Sequence, residues 1–141
     1  MSNLGQASRA AFAVIGGVLS WFFGEMSFML YVLIALAVCD YVTGVFCAVI
    51  KKELSSAVGF KGIAKKAIMF IFVGIGHLFD RLMQTGDVLR TAVVFFYIAN
   101  ESVSIIENAA IIGLPVPEIL KKVLAQIKKK GEKDKGGEAN E

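Results

Sequence analysis

Apolar residues form membrane-length blocks along the chain, separated by short polar breaks. Three blocks, over residues 26–50, 63–82 and 88–112, have the roughly 17–25 apolar residues that a helix needs to cross a bilayer. None shows the strict alternation of a barrel strand. Because backbone groups in hydrocarbon must be hydrogen-bonded internally, each block is expected to be a transmembrane helix. The pattern predicts an all-α integral membrane protein.

A shorter apolar run over residues 10–23 leaves the number of spans open. It reaches membrane length only as a segment of residues 4–23 in which the Arg9 side chain extends to the surface. Alternatively, it lies in the membrane interface, where Trp21 would anchor it. The sequence therefore predicts three or four transmembrane helices in a membrane domain of residues 1–116.

The chain changes character after Gly113. Residues 117–130 place Ile119, Val123 and Ile127 on one apolar helical face with lysines around it, which predicts a C-terminal basic amphipathic helix on an anionic inner leaflet. A solvated tail is the alternative. Residues 131–141 are charged and contain glycine, so a short disordered tail is expected. The basic tail residues are Lys121, Lys122, Lys128, Lys129 and Lys130.

The distribution of charge predicts the orientation. The chain is 56% hydrophobic and its net charge is only +3, but five lysines fall between residues 51 and 66 beside one glutamate. This predicted basic loop contains Lys51, Lys52, Lys61, Lys65 and Lys66. Short loops rich in Lys and Arg stay in the cytoplasm. The loop and the C-terminus are therefore both expected to be cytoplasmic, in a multi-pass protein of a bacterial cytoplasmic membrane.

Polar side chains inside the apolar blocks are the candidate functional residues. Asp40 interrupts the second block and Thr43 follows one turn later. In the last block a wedge of about 120° on one helical face contains five polar residues. They are Asn100, Glu101, Ser104, Glu107 and Asn108. A central Asp costs roughly 2.5–3.5 kcal/mol on insertion scales, so these acids should be protonated, paired between helices, or exposed to water.

Two consequences are expected of this polar wedge. A single subunit should be unable to satisfy it in lipid, so the wedge should favour assembly with other copies of the chain. In an assembly it would line a water-filled opening. Cys39 and Cys47 have no metal-binding or redox spacing, and His77 is the only histidine. No nucleophile–base arrangement is visible, so we expect neither an enzyme nor a bound metal or cofactor, and no nucleic-acid partner.

Five stretches between residues 39 and 128 together resemble the toxin-secretion/phage-lysis holin family. They are CDYVTGV, SSAVGFKGIAKK, HLFDRL, LRTAVVFFYIANESVSIIENA and GLPVPEILKKVLAQIK. The resemblance implies a membrane protein that forms homo-oligomeric pores, causes cytolysis and releases an endolysin or toxin, without necessarily contacting it. The alternatives are a small proton- or ion-conducting protein that uses Asp40, Glu101 and Glu107, and a membrane scaffold with a basic tail.

Overall fold

The protein is built from four α-helices in a computed structural model that describes residues 3–123 and residue 126. The helices are α1 (Asn3–Phe23), α2 (Phe28–Ile50), α3 (Ser56–Met83) and α4 (Val88–Ile112). Residues 118–123 and 126 are also helical, and these described residues contain no strand. Three helices, α2, α3 and α4, are long and apolar enough to cross a membrane. The prediction of an all-α, multi-pass membrane protein is confirmed.

The spanning helices pack around a small apolar core. Leu33 and Ala37 of α2 meet Met69 and Val73 of α3 and Val94 of α4, each at most 5% exposed. The outer faces of the same helices remain apolar, with Phe46, Phe79 and Phe96 all about half exposed or more. An apolar surface around an apolar core suits a helix bundle in lipid, where every face except the polar seams contacts hydrocarbon.

Helix α1 makes little contact with the rest of the bundle. Its side chains are exposed from residue 5 to residue 21, and it meets α3 only near its C-terminal end. There the Phe22 ring lies over Gly74, where an added Cβ would overlap the ring. Gly24, with φ +75°, then turns the chain towards α2. Among the described residues, α1 is not one of the helices long and apolar enough to cross a membrane.

Three of the five lysines of the predicted basic loop lie in α3, and two of them, Lys65 and Lys66, also belong to the predicted helical segment 63–82. Helix α3 begins at Ser56, seven residues before the predicted segment 63–82, and Ser55 caps it by accepting a hydrogen bond from the Val58 N–H at 3.2 Å. Lys61, Lys65 and Lys66 therefore lie within α3. The apolar stems of lysines can pack on a helix while their ammonium groups reach a polar region, so their charge did not stop the helix.

The C-terminal basic residues are only partly described. Lys121 and Lys122 are exposed on the helical residues 118–123, where Lys121 forms an ion pair with Glu118 at 2.9 Å. Lys128, Lys129 and Lys130 lie outside the described residues, as does the predicted disordered tail over residues 131–141.

Candidate functional site

An ion-pair cluster inside the bundle is formed by one residue from each spanning helix. Lys66 Nζ on α3 contacts both Asp40 Oδ2 on α2 and Glu101 Oε2 on α4. The side chains of Lys66, Asp40 and Glu101 are 18%, 13% and 5% exposed. Two carboxylates thus share one ammonium group where little water reaches them.

The apolar core fixes the depth of this cluster. Met69 lies one turn after Lys66 on α3, and Ala37 lies one turn before Asp40 on the antiparallel α2. Packing these two core residues together therefore brings the Lys66 and Asp40 side chains to the same level. We call Lys66, Asp40 and Glu101 the charge cluster.

An amide network extends the charge cluster along α2 and α4. Asn108 Nδ2 donates hydrogen bonds to Thr43 Oγ1 at 2.9 Å and to Asp40 Oδ1 at 3.2 Å. The Cys47 thiol in turn donates to the Asn108 backbone oxygen at 3.4 Å. Each of these bonds joins α2 to α4, so Asp40 is held by an amide as well as by an ammonium group.

The polar wedge on α4 faces the other helices of the same chain. Glu101 and Asn108 are bonded to α3 and α2, Ser104 faces a groove beside Asp40, and Glu107 is partly buried. Only Asn100 is exposed. The expectation that one subunit cannot satisfy this wedge is therefore wrong for Glu101 and Asn108. The reason is the position of Lys66 on α3, where its ammonium group reaches the carboxylates of both Asp40 and Glu101.

Two grooves flank the charge cluster. The inner groove, of about 380 Å³, lies between α2, α3 and α4 near the 51–55 loop and includes Tyr41, Lys61 and Lys65 in its lining. The second groove, of about 340 Å³, lies on the other side of Lys66 and includes Tyr97 and Asn100. Asp40, Lys65, Lys66 and Ser104 border both grooves.

A second polar cluster lies at the opposite end of the bundle, where α3 turns into α4. Asp80 Oδ2 accepts a hydrogen bond from the Arg90 N–H at 2.7 Å, and Asp80 Oδ1 accepts one from the Leu89 N–H at 2.9 Å. Asp87, the residue preceding α4, makes no side-chain capping bond. The α4 N-terminus is thus capped by a carboxylate from α3, which the local sequence of α4 does not reveal.

The same end of the bundle joins the turn between α1 and α2 to the turn between α3 and α4. The Arg90 guanidinium donates to the Glu25 backbone oxygen, and the buried His77 ring lies against Gly24 with Nδ1 4.0 Å from Asp87 Oδ1. Residues 3–123 and 126 contain no group of three or more His, Cys, Asp and Glu side chains that could hold a metal ion.

The family of the chain follows from its match to known proteins. Residues 17–129 match the model of the bacteriophage holin family. The chain belongs to this family. The match covers α2, α3 and α4 entirely and includes the whole charge cluster.

Individual relatives agree with the family match. The chain is 44% identical over 109 residues to an uncharacterized protein of Listeria innocua, covering 77% of this chain and 78% of that relative. An uncharacterized 14.9 kDa protein of Clostridium perfringens is 36% identical over 131 residues, 92% of this chain and 99% of the relative. A protein of Bacillus phage phi105 named a probable holin is 38% identical over 101 residues, covering 72% and 74%. No solved structure matches the chain.

Proposed function

We propose that this protein is a holin, which accumulates in a bacterial cytoplasmic membrane and then oligomerises into lesions that release an endolysin or toxin. The observation that carries the proposal is the family match over residues 17–129, which takes in all three spanning helices. The phage phi105 relative named a probable holin supports the same role. Cell lysis is the expected consequence of these lesions.

The compact bundle is the resting state in this proposal. The three side chains of its charge cluster are paired within one chain, and its outer faces are apolar. Such a subunit can accumulate in lipid without presenting an ionised group to hydrocarbon, which would cost several kcal/mol. Accumulation without damage is what a lysis protein needs before lesions open.

Lesion formation is the step in which the polar face of α4 changes partners. Movement of α4 away from α2 and α3 separates Glu101 from Lys66 and Asn108 from Thr43. In lipid the separated charges would be costly, whereas in a water-filled assembly of several subunits they are hydrated. A typical hydrogen bond contributes only about 0.5–1.5 kcal/mol net when water replaces the partner. The charge cluster therefore opposes opening by single subunits and permits it in a hydrated oligomer.

The proposed orientation places the 51–55 loop and the C-terminus in the cytoplasm. Lys51 and Lys52 in the loop and Lys121 and Lys122 after α4 are exposed at the ends of the spanning helices. Their positions agree with the rule that basic residues stay inside. The turn between α3 and α4, with Asp80, Asp87 and Arg90, then lies on the outer side.

Enzyme release from intact cells tests the proposed function. The chain is expressed from an inducible promoter in bacteria that also make a cytoplasmic muralytic enzyme with no export signal. We expect growth to continue after induction and culture density then to fall abruptly, with enzyme activity in the medium. Cells with the enzyme alone are the control, and immunoblots of membranes verify accumulation.

The same experiment separates a holin from an ion-conducting protein. A conductor that uses Asp40 and Glu101 as a relay would dissipate the membrane potential, which a voltage-sensitive dye reports, while the muralytic enzyme stays inside the cells. Loss of potential without enzyme release at every expression level would reject the proposed release of an endolysin. A scaffold would produce neither effect.

A further inference from the structure

We propose that the inner groove is a binding site for the headgroup of an anionic phospholipid. The first observation is its charge. Lys61, Lys65 and Lys66 line the groove against a single acid, Asp40, which leaves a formal charge of +2. Lys66 is occupied by the charge cluster, but Lys61 and Lys65 are exposed and form no ion pair with any residue between 3 and 123. Two ammonium groups are therefore available to a phosphate.

The aspartate in the groove does not oppose an anion. Its carboxylate contacts Lys66 through Oδ2 and accepts a hydrogen bond from Asn108 Nδ2 at 3.2 Å through Oδ1. Both oxygens are thus already engaged by donors. The field at the mouth of the groove is set mainly by Lys61 and Lys65, whose charges have no counterpart there.

The remaining wall of the groove suits the glycerol and upper acyl portion of a lipid. Val45, Leu54 and Val58 contribute apolar surface, and Leu54 and Val58 are 52% and 46% exposed. The Tyr41 ring packs closely against α3 at Gly62, where an added Cβ would be 3.1 Å from the ring. A groove that is cationic at one side, apolar at the other and open to the surroundings fits a phospholipid better than free phosphate.

The groove also opens towards one end of the spanning helices, where a surrounding bilayer would have its headgroups. It is located where α2 ends at Ile50 and α3 begins at Ser56, beside the 51–55 loop. Basic pockets between transmembrane helices on the cytoplasmic side bind anionic headgroups. The assignment to the inner leaflet rests on the proposed orientation, whereas binding itself depends neither on that orientation nor on lytic activity.

Lipid binding to the purified full-length chain tests the proposal. The protein is kept in a neutral detergent and titrated with short-chain phosphatidylglycerol, with phosphatidylcholine of equal chain length in parallel, and bound lipid is counted by native mass spectrometry. We expect saturable binding of one phosphatidylglycerol per chain. Replacing both groove lysines, Lys61→Gln with Lys65→Gln, should weaken it roughly tenfold or more, since each loses one charge contact with the anion.

Matched variants separate a built site from general attraction. Lys51→Gln with Lys52→Gln removes the same charge from the neighbouring loop, outside the groove, and should change the affinity by less than about threefold. Val58→Trp fills the groove without altering charge and should weaken binding as the lysine variant does. Circular dichroism and melting verify that each variant is folded.

Four outcomes would overturn the proposal. Equal losses of phosphatidylglycerol affinity in the two double lysine variants would show that the lipid is attracted to the basic surface as a whole. Equal binding of the phosphatidylcholine would show that the anion is not recognised. Undiminished binding by Val58→Trp would place the lipid elsewhere. Displacement by millimolar glycerol 1-phosphate would assign the groove to a free phosphate ester. Failure of enzyme release in cells alters none of these measurements, so the two proposals fail separately.

Discussion

The ammonium group of Lys66 on α3 contacts the Glu101 carboxylate on α4, and the second carboxylate at that ammonium belongs to Asp40 on α2. One lysine thereby connects three membrane helices. Buried ion pairs add little stability compared with apolar packing, but removing one partner is costly because the remaining charge stays buried. Lys66 is the partner whose removal leaves two such charges.

We therefore expect Lys66→Met to destabilise the bundle strongly. Asp40 and Glu101 would face each other without a cation, and the free energy of unfolding should fall by about 3–5 kcal/mol. Denaturation of the purified chain, followed by circular dichroism, measures the change. Lys65→Met removes the neighbouring exposed lysine and should stay within about 0.5 kcal/mol.

The neutral triple variant isolates the electrostatic cause. Combining Lys66→Met with Asp40→Asn and Glu101→Gln removes all three charges, so it should recover much of the stability that Lys66→Met loses. No difference between Lys66→Met and Lys65→Met, or no recovery in the triple variant, would show that the charge cluster does not hold the helices together.

Replacing the acids of α4 tests whether its polar face is needed for lysis. Glu101→Leu with Glu107→Leu should leave an inserted protein, because leucine gains about 0.3–0.6 kcal/mol on insertion scales and Lys66 keeps Asp40 as its partner. Lysis beside the muralytic enzyme should be delayed or absent, because the face would prefer lipid to water. Culture density and membrane immunoblots measure both effects.

The control for the double leucine variant is Ser102→Leu, on the opposite side of α4. The Ser102 hydroxyl donates only to the Ile98 oxygen of its own helix, at 2.7 Å, so its loss should leave the time of lysis nearly unchanged. Abrupt lysis by the double variant at the normal time would reject a role of Glu101 and Glu107 in lesions.

The helices of this fold were predictable, but the partners of the polar residues were not. Apolar block length located α2 and α4 almost to the residue, and the 3.6-residue period identified the α4 wedge. The same pattern identifies Asp40 and Glu101 as acids that must be protonated, paired between helices or exposed to water. Their partner Lys66 is not evident from the sequence, because it falls both in the basic loop and in the apolar block 63–82, and only packing shows that it lies three residues before core residue Met69.

Contacts between residues far apart in the chain explain why other features could not be predicted. Asp87 directly precedes α4 but makes no side-chain capping bond, and Asp80 of α3 accepts the Arg90 N–H instead. The turn over residues 84–87 brings the Asp80 carboxylate to the start of α4. Likewise, nothing local to Gly74 indicates that the Phe22 ring lies over it. Such pairings depend on how helices pack, which periodicity within one helix does not encode.

Because Asp80 caps α4, replacing Asp80 should lower the stability of the protein much more than replacing the nearby Asp87. Asp80→Ala leaves the Leu89 and Arg90 N–H groups without their acceptor, and loss of a capping side chain costs about 0.5–2 kcal/mol. Asp87→Ala should cost clearly less, since its side chain is 64% exposed and makes no capping bond. Denaturation midpoints measure both. Equal losses of stability in the two variants would contradict the assignment of the cap to Asp80.

The contact of Phe22 with Gly74 predicts that α1 can be detached without harming the spanning helices. In Gly74→Ala the new methyl group would overlap the Phe22 ring, so the end of α1 should leave α3. Limited proteolysis at the turn around Gly24 should become faster. Phe22→Ala removes the same contact without creating a clash, so cleavage should become faster in that variant as well.

A glycine within α1 supplies the matched control for Gly74→Ala. Gly17 has no atom outside its own helix within 4 Å of an added Cβ. Gly17→Ala should therefore stabilise α1 by up to about 1 kcal/mol through helix propensity alone, without faster cleavage. Equal protection of the Gly74→Ala variant and the unaltered chain would show that the Phe22 contact does not anchor α1.

Orientation is tested with single cysteines in a chain that carries Cys39→Ala and Cys47→Ala. Glu53→Cys lies in the 51–55 loop, Glu118→Cys follows α4, and Thr85→Cys lies in the turn between α3 and α4; all three positions are exposed. Because short basic loops stay in the cytoplasm, an impermeant thiol reagent applied to intact cells before lysis should label only the cysteine at position 85. Permeabilised cells should show labelling at all three, which verifies that the thiols are reactive.

The spanning helices α3 and α4 require positions 53 and 118 to behave alike, whichever way the bundle is inserted. Labelling of these two positions but not of position 85 would reverse the orientation and place the inner groove in the outer leaflet, whereas different results at 53 and 118 would contradict two membrane crossings between them.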